Sequence, residues 1–511
     1  MNVVEFFEGK TIFVTGATGF IGKVLIEKLL RSCPGIEQIY VLLRPKKGSG
    51  IEERLNKLKE STIFDLIRKN NPEVLNKVIA IKGDVSELYL GLSDSDRQLL
   101  VDNVNIIYHS AASIRFDDFL EDSIILNVRG TREISQLALD LKNPTIFVHI
   151  STAYSNTHQY ELEERLYPPH GDWRDAILLA ETCDKELIHI MTEKYIYPHV
   201  NTYTFAKGLG EQVVNDMCKG KMQTIITRPS IVVNTLEEPI PGWNDNFNGP
   251  LSLMIAHGKG IIGVALSKRE GNINYVPVDI VIKGIILATY NNTKKNNKNE
   301  VEVYNITQST INTSQGKFFK MALRIIHREP FPDLLWYPNL KLTTCFYNYY
   351  IQFILFHILP GFLLDLLLRL IGRKAKVVRI LRKIFIAMYM LKHFVLENYS
   401  FKNDKMIEMQ KKLKEDERNF WYPHELTENE LFSYISKSKT GLSLYVLNEY
   451  VDPTGRKEFK RLVKFWYADI SLKIFFSVLL IWLLIVKTNF LGISRNILDY
   501  YFENTSTTVS M

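Results

Sequence analysis

The sequence predicts an α/β fold: a doubly wound parallel sheet, then a mostly helical C-terminal domain and a C-terminal transmembrane helix. Three observations predict it. Short apolar runs alternate with helical stretches from residue 11 to about residue 230. Each run ends in small or polar residues, the edge where an open α/β sheet presents its ligand crevice. Near the end of the chain, Ile474 to Val486 is an unbroken apolar run between Lys473 and Lys487.

Taken in order, Thr11 to Val14 reads as the first buried strand. It breaks at Gly16-x-x-Gly19-x-x-Gly22, and an amphipathic helix follows from about Phe20 to Leu30. Strand, glycine turn and helix in that order are the setting of a dinucleotide fingerprint, although the spacing differs from the commoner G-x-G-x-x-G. Gly16 suits the tight turn, Gly19 lets the backbone approach a pyrophosphate, and Gly22 lets the helix sit close on the sheet. Residues 39–43 form the second strand, ending at Arg44, and residues 78–82 the next, ending in Gly83-Asp84-Val85. Residues 105–109 open into Ser110-Ala111-Ala112, and residues 145–150 into Ser151-Thr152-Ala153-Tyr154. The last strand, 223–227, runs into Arg228-Pro229-Ser230.

The 511 residues leave room for two or more domains, and 46% hydrophobic with 23% charged residues is a globular composition. A net charge of +7, without an arginine-rich patch interleaved with aromatics in the N-terminal half, argues against nucleic acid as a partner. Cys33, Cys183, Cys218 and Cys345 lie far apart without a C-x-x-C pair. That pattern speaks against a disulfide framework or a zinc site, and no metal is expected. The N-terminal MNVVEFFEGK carries acids where a signal peptide needs a basic end, so the catalytic part is expected in the cytosol.

Two features carry chemistry. An NAD-preferring dehydrogenase places an acid at the end of its second strand; here Arg44 stands there with Lys46 and Lys47 behind it, which favours the 2′-phosphate of NADPH. In Tyr203-Thr-Phe-Ala-Lys207 the phenol and the ammonium share one helix face. A tyrosine of pKa about 10 is a poor acid–base group at neutral pH, and a neighbouring ammonium is expected to lower it. With Ser151 after the preceding strand, these residues form a reductase constellation. His109, His149 and His189 read as satisfied structural histidines rather than bases or ligands.

This constellation resembles the extended short-chain dehydrogenase/reductase superfamily, a Rossmann-type fold. The stretches at 15–22, 43–45, 150–156, 201–203 and 228–230 are similar to fatty acyl-CoA reductases. So are 276–279, the proline–glycine–tryptophan stretch Pro241 to Pro250, and Gly441 to Glu449. The match covers roughly residues 10 to 450; Ala206 and Gly208 depart from the family's usual residues around the lysine, and the C-terminal domain matches loosely. The resemblance implies NADPH-dependent reduction of a long-chain fatty acyl-CoA to a primary alcohol, with CoA released and an aldehyde held between two hydride transfers. It implies that Tyr203 donates the proton and that Lys207 holds the ribose and tunes Tyr203. Ser151 would hydrogen-bond the substrate carbonyl, with Thr152 as the alternative. Gly16, Thr18, Gly19, Phe20, Ile21, Gly22 and Arg44 would hold the cofactor, and Asp84 and Val85 would contact adenine. A membrane-bound reductase of a sterol or other lipid alcohol is the alternative enzyme, and a nucleotide-binding membrane scaffold without turnover the alternative class.

The expected organisation is a reductase domain with substrate loops over 1–290, a connecting region over 291–340 and a helical domain over 341–450. A transmembrane tail anchor over 465–493 and a polar tail over 494–511 complete it. The basic residues Arg456, Lys457, Lys460, Arg461 and Lys464 before the anchor would keep the catalytic part cytosolic, on the endoplasmic reticulum or peroxisome. A second greasy stretch, Leu342 to Leu364, lacks acids, lysine and arginine, is broken by Pro360-Gly361 and precedes a basic run. A span, a membrane hairpin and an interfacial lobe all suit it.

Overall fold

Alternate residues along each strand point to opposite faces, and both faces here are apolar. In a computed structural model of the chain, Ile12, Val14, Ile39, Val41, Ile106 and Tyr108 enter one core, while Phe13, Tyr40, Leu42 and Ile107 enter the other. The structure describes residues 2–506 except 46–47, 248, 296, 308–310, 312, 415–416 and 418–424.

The sheet consists of β1 (Thr11–Thr15), β2 (Gln38–Leu43), β3 (Val78–Lys82), β4 (Ile106–His109), β5 (Ile146–Ile150), β6 (Thr224–Pro229) and β7 (Glu302–Ile306). Their order is β7-β6-β5-β4-β1-β2-β3, parallel throughout. The order reverses between β1 and β4, the switch point where an α/β sheet binds its ligand. Six strands follow the apolar runs to within a residue or two. The seventh, β7, lies in the stretch read as a connecting region, so the sheet extends beyond residue 290. Helix α1 (Phe20–Ser32) follows β1, α2 (Ile51–Lys59) follows β2, and α3 (Thr202–Cys218) precedes β6.

The motifs at 241–250, 276–279 and 441–449 turn out to be joints. Asp279, buried in the first turn of α4 (Val278–Lys295), accepts from the amides of Leu236 and Glu237, both at 2.9 Å, and of Glu238 at 3.2 Å. That fixes the loop leading to Trp243. The Trp243 ring is fully buried, stacks on Phe20 at 5.6 Å and donates from Nε1 to Thr62 Oγ1 at 2.8 Å. Gly242, at φ +76°, packs beneath α8 (Glu428–Gly441), where a Cβ would strike the Lys437 carbonyl, and Gly441 lies against the Gly242 carbonyl. The C-terminal domain is thereby fastened to the first turn of α1. Asn248 of this stretch lies outside the described residues.

The rest of that domain includes α5 (Gln315–Arg328), α6 (Phe346–Leu370) and α7 (Val377–Leu396). Pro360 does not break α6 as expected. A wide π-turn over Ile354–Ile358 precedes it, relieving the clash between the proline ring and the preceding turn. Gly361 makes room for Leu381 of α7, whose side chain would lie 2.7 Å from a Cβ there. Asp365 caps α7 by accepting from Val377 N at 2.9 Å and Val378 N at 3.0 Å. The greasy stretch is therefore one arm of a helical hairpin. Its outer side, including Phe356, Phe362 and Leu367, is exposed. The final helix α9 (Arg456–Ser506) is exposed along its apolar run, and its helical backbone continues into the segment read as a polar tail. Helices α6 and α9 are both long and apolar enough to cross a membrane.

Candidate active site

At the switch point β1 delivers the glycine turn. Gly16 adopts φ +75°, and a Cβ on it would lie 2.7 Å from both the Ala111 nitrogen and the Ser110 carbonyl carbon, so β1 can turn past the end of β4 only with glycine. The Gly19 amide closes the turn on the Gly16 carbonyl at 2.9 Å. A Cβ at Gly22 would run into that same carbonyl, which is why α1 sits so close. No side chain caps α1 at Gly19, so its first amides are free for an anion. Thr18, Phe20 and Ile21 are half-buried around this opening.

Arg44 follows β2, is 53% exposed, and places Nη1 3.5 Å from Asp84 Oδ2. A residue not singled out in the sequence joins it: Arg54 of α2 donates to the Arg44 carbonyl and lies 3.4 Å from Thr18 Oγ1. Two guanidinium groups thus flank the glycine turn. Arg54 is the fourth residue of α2, a position that only the packing of α2 against β2 brings to the turn. Lys46 and Lys47 lie outside the described residues. Asp84 accepts from the Ser86 amide at 3.0 Å, as a turn-forming acid does, and Val85 is buried beneath Gly130.

Helix α3 starts at Asn201, whose Oδ1 accepts from Thr204 N at 2.9 Å. Tyr203, Lys207 and Glu211 then recur every fourth residue on one face. The Tyr203 phenol lies beside the Thr152 side chain at the end of β5. Ser151 points the other way, donating to Glu211 Oε1 at 2.6 Å. The two candidate carbonyl donors are thus held differently, Ser151 on Glu211 and Thr152 beside the phenol. Glu211 is engaged by Arg228, which is fully buried and donates through Nε at 2.9 Å and Nη2 at 2.5 Å. Arg228 also donates to the carbonyls of Glu163 at 3.3 Å and Arg165 at 3.0 Å. It therefore lies under the site rather than opening into it. The spacing from Tyr203 to Lys207 would have found Glu211 if carried one turn further.

Lys207 is buried and its Nζ donates to the Ile150 carbonyl at 2.9 Å. Burial brings it down to about 8, against the opposing pull of Glu211. Burial pushes the Tyr203 phenol up to about 12, with the neighbouring Thr152 side chain opposing. His109 is held between Thr15 Oγ1 at 2.7 Å and Thr131 Oγ1 at 3.1 Å, a satisfied structural histidine. His149 beside it is not satisfied: both ring nitrogens are buried without a hydrogen-bond partner among the described residues. His189 is exposed and touches Phe119 edge-on.

Aromatic rings wall the cleft. Phe116 lies 5.6 Å from the Tyr203 ring and 5.3 Å from Phe394 of α7, which in turn meets Tyr154 at 5.2 Å. The C-terminal domain therefore closes on the phenol, a contact no local pattern announces. An apolar cavity opens between α5, α8 and the substrate loops. It is lined mainly by apolar residues, among them Leu251, Met254, Tyr275, Phe318 and Ile326.

Two family models, both described as male sterility protein, match residues 14–285 and 356–449. The chain is 35% identical over 506 residues to fatty acyl-CoA reductase 1 of Mus musculus, covering 98% of this chain and 96% of that one. The Homo sapiens counterpart is 34% identical over the same shares. A putative fatty acyl-CoA reductase of Drosophila melanogaster is 32% identical, covering 92% of this chain and 94% of its own. Among solved structures, the terminal R domain of the myxalamid biosynthetic pathway superposes with TM-score 0.59 at 18% identity, covering 86% of this chain and 92% of that domain. The reductase domain of a Mycobacterium tuberculosis nonribosomal peptide synthetase gives 0.56 at 18%, covering 86% and 93%. These structures share the fold; the family follows from sequence, since kinship at this identity runs through both the nucleotide-binding and the helical parts. The chain belongs to the fatty acyl-CoA reductase family of oxidoreductases.

Proposed function

We propose that the protein reduces long-chain fatty acyl-CoA to the primary alcohol with NADPH, releasing CoA and keeping the aldehyde bound between the two reductions. The observation that carries this reading is the Tyr203 phenol set beside the Thr152 side chain and Lys207, at the end of β5 and under an aromatic wall. The cradle at Gly16 and Gly22, the uncapped start of α1, Arg54 beside Thr18 and Arg44 at the end of β2 fit a nicotinamide dinucleotide bearing a 2′-phosphate. When bound there, the cofactor supplies the hydride. Thr152 and Tyr203 bind the carbonyl oxygen between their hydroxyls, where negative charge develops. The raised pKa of Tyr203 keeps its proton on at neutral pH, so it is a donor from the start, and it gives that proton to the oxygen. Lys207, fixed by the Ile150 carbonyl, holds the ribose side of the cleft. The first reduction leaves a hemithioacetal that collapses to aldehyde and CoA thiol; the aldehyde carbonyl then takes the same place. The apolar cavity receives the chain, each buried methylene adding about 0.8 kcal/mol of retention.

The exposed apolar faces of α6 and α9 support attachment to a bilayer, with α9 as a tail anchor and the catalytic part in the cytosol, on the endoplasmic reticulum or peroxisome. Purified protein given NADPH and an acyl-CoA series consumes two NADPH per CoA released on long chains and yields alcohol. A ratio of one with accumulating aldehyde refutes the four-electron reading. A chain ended before Lys473 keeps that ratio on detergent-dispersed substrate but no longer floats with vesicles. Continued flotation would move the anchoring role to α6.

Cofactor choice is tested at Arg44 and Arg54. Arg44→Asp should weaken NADPH by roughly 1.5–3 kcal/mol, about tenfold or more, because it removes a charge-assisted bond and adds a like charge. Arg54→Ala should act in the same direction, and NADH binding should change little in either. Equal loss of both cofactors would make these arginines structural.

A further inference from the structure

Three histidines that neither the cofactor cradle nor the phenol uses meet in one place. His158 lies in the loop that leaves β5, His170 further along that chain, and His199 three residues before α3. The Nε2 atoms of His158 and His170 are 3.0 Å apart. The His199 ring centroid is 5.6 Å from that of His158 and 5.4 Å from that of His170. One ring nitrogen from each of the three lies within 4.8 Å of the other two. Three imidazoles on one tetrahedral ion at ~2.0–2.1 Å place their nitrogens roughly 3.4 Å apart, so modest side-chain rotation closes the triangle.

Hydrogen bonding explains only part of the cluster, since the Nε2 contact joins His158 and His170 alone. His199 is 8% exposed, and its Nδ1 is buried without a hydrogen-bond partner among the described residues, as is Nδ1 of His158. Among the described residues no carboxylate joins the three donors. The cysteine spacing that argued against a zinc site has no bearing here, since imidazole alone suits zinc, copper and nickel.

We propose that His158, His170 and His199 bind one divalent transition-metal ion of the Zn²⁺ class, with water at the fourth position. Its place in the fold assigns it a structural task. His199 touches Phe205 at 5.5 Å, and its Cε1 lies 3.5 Å from where a Cβ on Gly208 would stand, a side of α3 distinct from that of Tyr203 and Lys207. A bound ion would staple the loop after Thr152 to the segment that starts α3, fixing the distance between the Thr152 and Tyr203 hydroxyls without touching substrate.

The test uses the full chain in detergent, without a histidine tag, stripped with a chelator and titrated with Zn²⁺ against a chromophoric competitor. Co²⁺ serves as the spectroscopic probe. One equivalent of either ion should bind, Co²⁺ should show the intense visible bands of four-coordination, and Zn²⁺ should raise Tm. His170 is exposed, so His170→Ala should fold normally; it should weaken Zn²⁺ at least tenfold and abolish the rise in Tm. His170→Cys should restore binding and add a thiolate-to-cobalt band, while His189→Ala, an exposed histidine elsewhere, should bind as the parent does. Absence of a stoichiometric ion, or equal affinity in His170→Ala and the parent, overturns the proposal.

Discussion

Tyr203→Phe removes turnover while the protein still folds and still binds NADPH. In the proposed reaction the phenol hydroxyl gives its proton to the carbonyl oxygen, and a positioned acid of this kind contributes roughly 100- to 10,000-fold. The ring itself packs against Phe116 at 5.6 Å, and phenylalanine keeps that contact. Circular dichroism and cofactor titration should therefore be unchanged while kcat/KM falls by that factor. Activity within threefold of the parent, in a folded variant, would remove Tyr203 from the chemistry and leave the Tyr-x-x-x-Lys pair a structural one.

How far the sequence carried the fold depended on whether a feature was local. Strands β1 to β6 and the glycine turn were legible because a buried parallel strand is a continuous apolar run and the turn needs glycine at Gly16. Strand β7 was not, since Glu302–Ile306 is a five-residue edge strand whose run EVYNI mixes polar and apolar residues. Helix α6 was misjudged at Pro360 because the compensating π-turn has no sequence mark. At the site, spacing alone placed Tyr203 and Lys207 on one face. Arg54, Phe116 and Phe394 depend on packing between elements distant in sequence, and only the structure brings them to the cleft.

Two hydroxyls side by side allow the last assignment to be separated by experiment. Thr152→Val keeps the shape of the side chain and deletes the group that shares the carbonyl oxygen with Tyr203, so kcat should fall roughly 100- to 1,000-fold, as for other donors to a developing oxyanion. Its Tm should barely move, because the Tyr203 hydroxyl loses only one partner in a half-open cleft. Ser151→Ala should do the reverse. Glu211 keeps both bonds from Arg228 but loses the 2.6 Å bond from Ser151 in a fully buried setting, which costs about 1.5–3 kcal/mol of stability. The rate of folded Ser151→Ala protein should stay within about tenfold of the parent, because nothing facing the substrate has been removed. Measuring kcat and Tm on both variants decides the matter. Loss of rate in Ser151→Ala with an unchanged Tm would mean that Ser151 leaves Glu211 and turns into the cleft when substrate binds, and Thr152 would then be the structural hydroxyl.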